Sequence, residues 1–323
     1  MGLGPAACGL DQKYQFYLSN GLAPSTRRVY RSAQCQFIDF CTLNGYVSSN
    51  GSFLPTSEQT LLRFCSHLAD RLHHSSIKVY LSAVRSLHID QGFPDPLVNC
   101  LQLQRLLRGI QRHQGSSLPQ RQPVTADLMQ IIQRSLDAHN SEHIMLWAAC
   151  CLGCFGFLWA GEFTVNCAFD PSIHLTVQDL QVDAEVHPSS LRVRIQSSKT
   201  DPFRQGCFIY LGRGQAPLCP ISAILTYLHQ RGPLSGPLFI DTHGQPLTRS
   251  RLSSFVQSVL QGAGIPGHFS GHSFRIGAAT TAAQCGIPDH LIKTMGRWSS
   301  DAYQLYVRTP VESILEVSGR LLQ

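Results

Sequence analysis

The sequence predicts a mainly α-helical protein with one small antiparallel β-sheet, arranged as an N-terminal helical bundle followed by a C-terminal mixed α+β domain. Three observations carry this reading. Apolar residues recur at helical spacing in four segments of residues 1–115. Leu191, Val193 and Ile195 alternate with Arg192, Arg194 and Gln196, the two-residue period of a half-buried strand. Between these regions runs QGSSLPQRQP, from Gln114 to Pro123, which is polar, contains two prolines and has the composition of a linker. At 323 residues and 43% hydrophobic, the chain exceeds the commonest single-domain size. The boundaries are placed at 1–115 for the bundle, 116–123 for the linker and 124–323 for the second domain.

Taken in order, Ser25 stands before a polar helix start, after which Tyr30, Phe37 and Phe40 fall on one side. Thr56 and Gln59 have capping-box spacing ahead of Leu61, Leu62, Phe64 and Leu68. Ser75 or Ser76 is placed to cap a third helix, on which Ile77, Tyr80, Leu81, Val84, Leu87 and His88 recur. A fourth helix spans Leu97 to Arg112. Four amphipathic helices in about 100 residues make a compact bundle.

After the linker, Leu128, Ile131, Ile132 and Leu136 mark a helix, and an uncharged apolar helix follows over 144–158. Too few consecutive residues there are strongly apolar for a membrane span, so a buried core helix and no membrane partner are expected. Leu175 to Val182 alternates as a strand. Residues 197–206 form the turn after the Leu191–Gln196 strand, and Cys207 to Leu211 is the return strand. Leu252, Phe255, Val256, Val259 and Leu260 recur at helical spacing before Gly262. His272 and Arg275, three apart, share a helix face, and Gly286 ends that helix. Pro288 and Asp289 begin the next, with Leu291, Ile292 and Met295 packing inward. A short helix beyond Gly296 and Trp298 carries Tyr303 and Tyr306. Ile314, Leu315, Val317, Leu321 and Leu322 mark a last apolar segment, which either docks on a neighbour or packs in cis.

The charge is uneven. Residues 1–115 hold 11 Lys+Arg against 6 Asp+Glu, a net of +5, while the remaining residues hold 15 against 14, a net of +1. The excess points to phosphate contacts in the N-terminal third. Arg27, Arg28, Arg31, Lys78, Arg85, Arg105 and Arg108 are the candidate DNA-binding residues. Each alone is as well explained as part of a solvated face, and the argument rests on the set. The 12 cysteines and the absence of a visible secretory signal point to reduced thiols in an intracellular protein. Cys151 and Cys154 form a CxxC without a second pair, which reads as buried structural thiols.

The densest chemistry lies in GHSFRIGAATTAAQCGIPDHLIKTMGRWSSDAYQLYVR, residues 271–308. HxxR, then GRW, then a tyrosine just beyond, resembles the C-terminal signature of the tyrosine recombinase (phage integrase) family. The wording SFRIGAAT…GRWSSDAY…Y is most similar to recombinases of DIRS-type and related mobile elements, and APSTRRVY resembles the start of the family's core-binding domain. The resemblance implies a DNA-clamping N-terminal domain, a tyrosine-recombinase catalytic domain, double-stranded DNA as substrate, tetramers on paired sites, a nuclear location and no cofactor or metal. It implies that Tyr306 is the nucleophile that forms a 3′-phosphotyrosine. By the same carry-over Arg275 is a phosphate-binding arginine, His272 its helper, Lys199 the general acid and Glu162 the supporting acid. Trp298 lies near the family's His/Trp position, which Arg297 occupies if one counts from Gly296. Tyr303 is the competing nucleophile at a shorter spacing. Outside that ordered set, each of these residues is more often structural.

One position departs from the pattern. The family's first catalytic arginine stands three residues before the acid, and here Leu158 to Glu162 reads LWAGE, with Trp159 in that place. No Lys or Arg occurs between Arg134 and Arg192, so no shift of register restores it. An indole offers one N–H and no charge. The expectation is DNA binding with impaired cleavage. The alternative is a non-enzymatic DNA-binding or architectural protein on the same scaffold.

Overall fold

The computed structural model describes residues 5–47, 51–115, 120–199, 201–308 and 315. The chain divides into two compact units, Met1–Leu118 and Pro119–Gln323. Residues 116–119 of the linker, and all but Leu315 of the last apolar segment, lie outside the described residues.

The first unit is helical. It comprises α1 (Pro5–Asn20), α2 (Pro24–Leu43), α3 (Glu58–Ala69), α4 (His74–Asp90) and α5 (Leu101–Gln114). One helix is thus added to the four expected. On α1 the side chains of Leu10, Tyr14, Phe16 and Tyr17 are exposed, so no apolar stripe announces it. The core forms where α2, α3 and α4 turn their periodic residues inward: Phe37, Phe40, Leu61, Phe64, Leu68, Ile77, Leu81 and Val84. Phe64 sits between Phe37 and Phe40, with ring centroids 5.1 and 5.2 Å away. His88 is buried in this core. One ring nitrogen bonds the Val84 carbonyl at 2.8 Å, and Nε2 accepts the Thr56 N–H at 3.0 Å.

The helix starts differ from the sequence reading by one or two positions. Ser57, not Thr56, caps α3 by accepting the Thr60 N–H. His73, not a serine, caps α4 through its ring. The cap of α2 is Ala23, with Pro24 opening the helix in place of a side-chain bond. All seven candidate DNA-binding cations are exposed on this unit. Arg85 also pairs with Asp95 at 2.7 Å.

The second unit is built on α6 (Ala126–Arg134), α7 (Ser141–Phe155), the four-residue α8 (Ala160–Phe163), α9 (Pro220–Arg231), α10 (Arg249–Gly262), α11 (Ser273–Gln284) and α12 (Asp289–Met295). Beside these lies one antiparallel sheet, ordered β1 (Leu180–Val182), β2 (Ser190–Ile195), β3 (Cys207–Gly212). The mainly helical fold with a small antiparallel sheet is therefore as the sequence predicts. The inward face of the sheet carries Leu191 opposite Leu211 and Val193 opposite Ile209. The expected strand over 175–182 shrinks to 180–182. Residues 177–179 instead form a 3₁₀ turn, held because the Asp179 carboxylate accepts the Thr176 N–H and hydroxyl, both at 2.8 Å. On α12 only Ile292 packs inward, while Leu291 and Met295 stand half exposed.

Beyond its polar first turn, helix α7 is apolar because it is buried almost throughout from Met145 to Cys154, with Cys150, Cys151 and Cys154 inside. Burial pushes the Cys154 thiol up to about 12, so it stays protonated and inert. No helix among the described residues is long and apolar enough to cross a membrane.

Gly277 fixes how α11 enters this core. A Cβ there would stand 1.8 Å from the Val124 carbonyl oxygen, and the Val124 N–H donates to Ser273 O at 2.9 Å. Backbone meets backbone, so nothing can yield cheaply. Gly277→Ala is therefore expected to lower the unfolding free energy by about 1–3 kcal/mol in urea titration. An unchanged midpoint would refute this account of the packing.

Candidate active site

The site grows from the end of α7. Phe157 takes the left-handed conformation, with φ of 51°, and turns the chain so that Trp159 becomes the N-cap of α8. One turn later the Glu162 carboxylate reaches back and accepts the Trp159 N–H at 2.9 Å. Glu162 is thereby fixed and 5% exposed. Helix α11 begins beside it. A Cβ on Gly271 would lie 2.4 Å from that of Ala160, so only glycine permits this approach. The approach brings His272, at the start of α11, and Arg275, one turn on, against Trp159.

The indole of Trp159 stands at the centre of the cluster. It stacks on the His272 ring with centroids 4.6 Å apart and planes 16° from parallel. The Arg275 guanidinium carbon lies 4.8 Å from the Trp159 ring and 4.1 Å from the Trp298 ring, which sandwiches a cation between two indoles. The Lys199 ammonium lies 5.9 Å from the Trp159 ring, and the Tyr306 ring meets that indole edge-on at 6.5 Å. Trp159, Lys199, His272, Arg275, Trp298 and Tyr306 thus come together around one point. Glu162 stands behind them.

Arg275 is 2% exposed. Its two terminal nitrogens donate to the Phe157 and Gly296 carbonyls, and its Nε has no partner among the described residues. Burial, and next the nearby Arg297 charge, bring its pKa down to about 10, so it stays charged at neutral pH. His272 is also shifted down from its usual range. Burial, then the charges of Arg121, Arg275 and Lys199, push it down to about 4, which leaves a neutral imidazole.

Both residues of the Arg297/Trp298 alternative lie in the site. A Cβ on Gly296 would fall 1.7 Å from the Trp298 ring, so the indole folds back over a bare backbone. Arg297, with φ of 56°, makes the reversal. Its guanidinium pairs with Glu162 at 2.7 Å. Burial pulls its pKa down, but the Glu162 hydrogen bond and charge outweigh that and raise it. The pairing of Arg297 with Glu162 and the influence of Arg121 were not foreseen from sequence. The one available signal was that a cation directly follows Gly296.

The two tyrosines separate cleanly. Tyr303 is 5% exposed and its hydroxyl donates to Asp289 at 2.8 Å. Tyr306 follows the 3₁₀ turn Asp301–Leu305 and is half-buried against His272 and Trp298. Among the described residues nothing hydrogen-bonds its hydroxyl, while its carbonyl accepts from Thr280 at 3.1 Å. The arrangement offers a free phenol, three cations (Lys199, Arg275 and Arg297) and one buried carboxylate. Among the described residues no group of His, Cys, Asp or Glu is placed to hold a metal.

Residues 173–309 match the model of the phage integrase family. The integrase/recombinase xerD homolog of Selenomonas ruminantium is 24% identical over 306 residues, which cover 90% of this chain and 83% of that protein. Among solved structures, the XerH site-specific recombinase bound to palindromic difH substrate, in a post-cleavage complex, aligns with a TM-score of 0.65 at 14% identity, over 90% of this chain and 77% of that one. A lambda integrase tetramer bound to a Holliday junction aligns with a TM-score of 0.59 at 14% identity, over 93% and 76%. The structural likenesses speak for the fold. The family match and the xerD homolog support the phage integrase, or tyrosine recombinase, family.

The buried imidazole has a consequence for stability. An unfolded-state histidine takes up a proton below about 6.5, whereas His272 in the folded chain does so only near 4. Between those values the unfolded state binds more protons, so stability falls as pH drops from about 6.5 and levels off near 4. His272→Gln removes this share. Urea unfolding from pH 7 to pH 4 should therefore show a steeper loss for the wild type than for the variant. Parallel curves would contradict the burial of a neutral ring.

Proposed function

We propose that this chain is a DNA-binding protein of the tyrosine recombinase type whose strand-transfer chemistry is impaired at Trp159. One observation carries the reading: a tyrosine with an unengaged hydroxyl, Tyr306, faces His272, Arg275 and Lys199 around an indole where a cation is needed. In the full reaction the Tyr306 oxygen attacks a backbone phosphorus, and a phosphotyrosine bond forms as the bond to the 5′ oxygen breaks. The leaving oxygen takes a proton, a role that fits Lys199. Arginines hold the non-bridging oxygens as charge builds. The displaced 5′-hydroxyl of another strand later reverses the step, so no nucleotide or metal is consumed.

Trp159 weakens this machinery in two ways. It supplies one N–H where a guanidinium supplies five, and it carries no charge. It also occupies the space between His272 and Arg275. Losing one preorganised donor at such a site costs on the order of 10²–10³ in rate, and a charged fork at least that. A second reading, a non-enzymatic DNA-binding or architectural protein, is favoured by Arg275, whose terminal nitrogens are already engaged with the backbone.

The substrate in either reading is duplex DNA. The +5 excess in residues 1–115 and the exposed Arg27, Arg28, Arg31, Lys78, Arg85, Arg105 and Arg108 support a domain that grips phosphates, joined by the 116–123 linker to the catalytic domain of 124–323. Assembly as a tetramer on paired sites, descent from a DIRS-type mobile element and a nuclear location belong to the same proposal. They are carried by the SFRIGAAT…GRWSSDAY wording. Titration of a labelled duplex should give an affinity that falls about 10³–10⁵-fold between 50 and 200 mM salt if about 6–10 phosphates are contacted. Absence of binding at low salt, or binding indifferent to salt, would defeat the proposal.

A further inference from the structure

The outward face of the β-sheet is built unlike its inward face. The inward residues of β2 and β3 are aliphatic and buried. Their outward neighbours are Arg192 and Arg194 on β2, with Phe208 and Tyr210 on β3. Register places Arg192 opposite Tyr210 and Arg194 opposite Phe208. Tyr210 is 66% exposed and Phe208 48%. Two large aromatic rings thus reach the surface on one face of the sheet, each beside a guanidinium.

The charges there are uncompensated. None of the five ion pairs among the described residues involves Arg192 or Arg194. Among the described residues Arg192 bonds only the neutral Gln181 amide, and it lies over the Phe208 ring, 4.7 Å from its centroid. That contact keeps the ring and the guanidinium in order without a ligand. The two cross-strand pairs are two residues apart along the strands, a spacing of roughly 6.7 Å.

We infer that this face binds single-stranded nucleic acid, with unpaired bases stacked on Tyr210 and on the Arg192–Phe208 pair, and phosphates held by Arg194 and the outer edge of the Arg192 guanidinium. Planar aromatic faces recognise the faces of bases, and a paired duplex keeps those faces stacked internally. A duplex groove is read by a protruding helix or ribbon, which a sheet face does not offer. A protein partner would gain from the rings but would have to neutralise two arginines. A polyanion with aromatic bases satisfies both features together. The site is distinct from the cluster around Trp159, and the inference stands apart from the proposed duplex binding.

The test uses the full chain and two probes at low salt: a labelled thymidine oligonucleotide carrying 5-iododeoxyuridine, and a labelled duplex. Tyr210→Ala is expected to weaken oligonucleotide binding about tenfold, the scale of one lost base stack, and Tyr210→Phe to preserve it. R192E/R194E should weaken it further. Photo-crosslinks should map to Phe208 or Tyr210. The duplex affinity of all three variants should stay near wild type. No oligonucleotide binding by the wild type, crosslinks confined to the first unit, or a Tyr210→Ala variant that binds like the wild type would overturn the inference. So would a Tyr210→Ala change seen only in self-association, which would mark a protein interface. Loss of duplex binding alone in the wild type would fail the proposed function and leave this inference standing.

Discussion

The site depends on one buried cation. Arg275 crosses from α11 to the Phe157 carbonyl at the end of α7 and to the Gly296 carbonyl at the end of α12. Three segments far apart in sequence are tied by two donors of a single planar group. A guanidinium this buried is costly unless its charge is met. Here it is met by two carbonyls and by the faces of Trp159 and Trp298. Glu162, the one buried carboxylate at the site, pairs with Arg297 instead. Phe157 turning left-handed, Gly296 lacking a side chain and Trp298 folding back all serve this packing.

Under the proposed function, Trp159 is more than a missing charge. With an arginine at 159, Arg275 would face a second guanidinium, and an anion between the two would relieve their repulsion. With an indole there, Arg275 gains a cation–π contact and needs no anion. Under the proposed function, a pair of cations that would invite phosphate is replaced by a packed cluster that is complete without one. His272 follows, since a neutral ring stacks on the indole. Among the described residues the Tyr306 hydroxyl has no hydrogen-bond partner.

Much of this was legible in the sequence where the residues involved are neighbours. The alternation of Leu191, Val193 and Ile195 gave β2, and the helix over 249–262 was written in its own periodicity. The HxxR, GRW and tyrosine spacing pointed to one region, and LWAGE identified Trp159 by counting. What escaped was what only the folded chain brings together. Arg297 and Glu162 are 135 positions apart, and their ion pair cannot be read from either segment. Thr56 rather than Ser57 as a cap, and serine rather than His73, were errors of one or two residues, where a side chain's reach decides and not its type. Leu291 and Met295 fit an inward stripe, but α12 is too short to bury more than Ile292. On helix α1 Leu10, Tyr14, Phe16 and Tyr17 stand exposed, against the rule by which helices are found.

The central claim is that the indole at 159 is what holds the chemistry back. The most direct measurement is single-turnover cleavage of a nicked suicide duplex by the unmodified chain and by Trp159→Arg, with covalent adduct as the readout and Tyr306→Phe as the control for its origin. The account predicts a trace of adduct from the unmodified chain. It predicts about a hundredfold or more from Trp159→Arg, little difference in duplex affinity, and none of the adduct after Tyr306→Phe. Cleavage by the unmodified chain at the rate of its Trp159→Arg variant would contradict it.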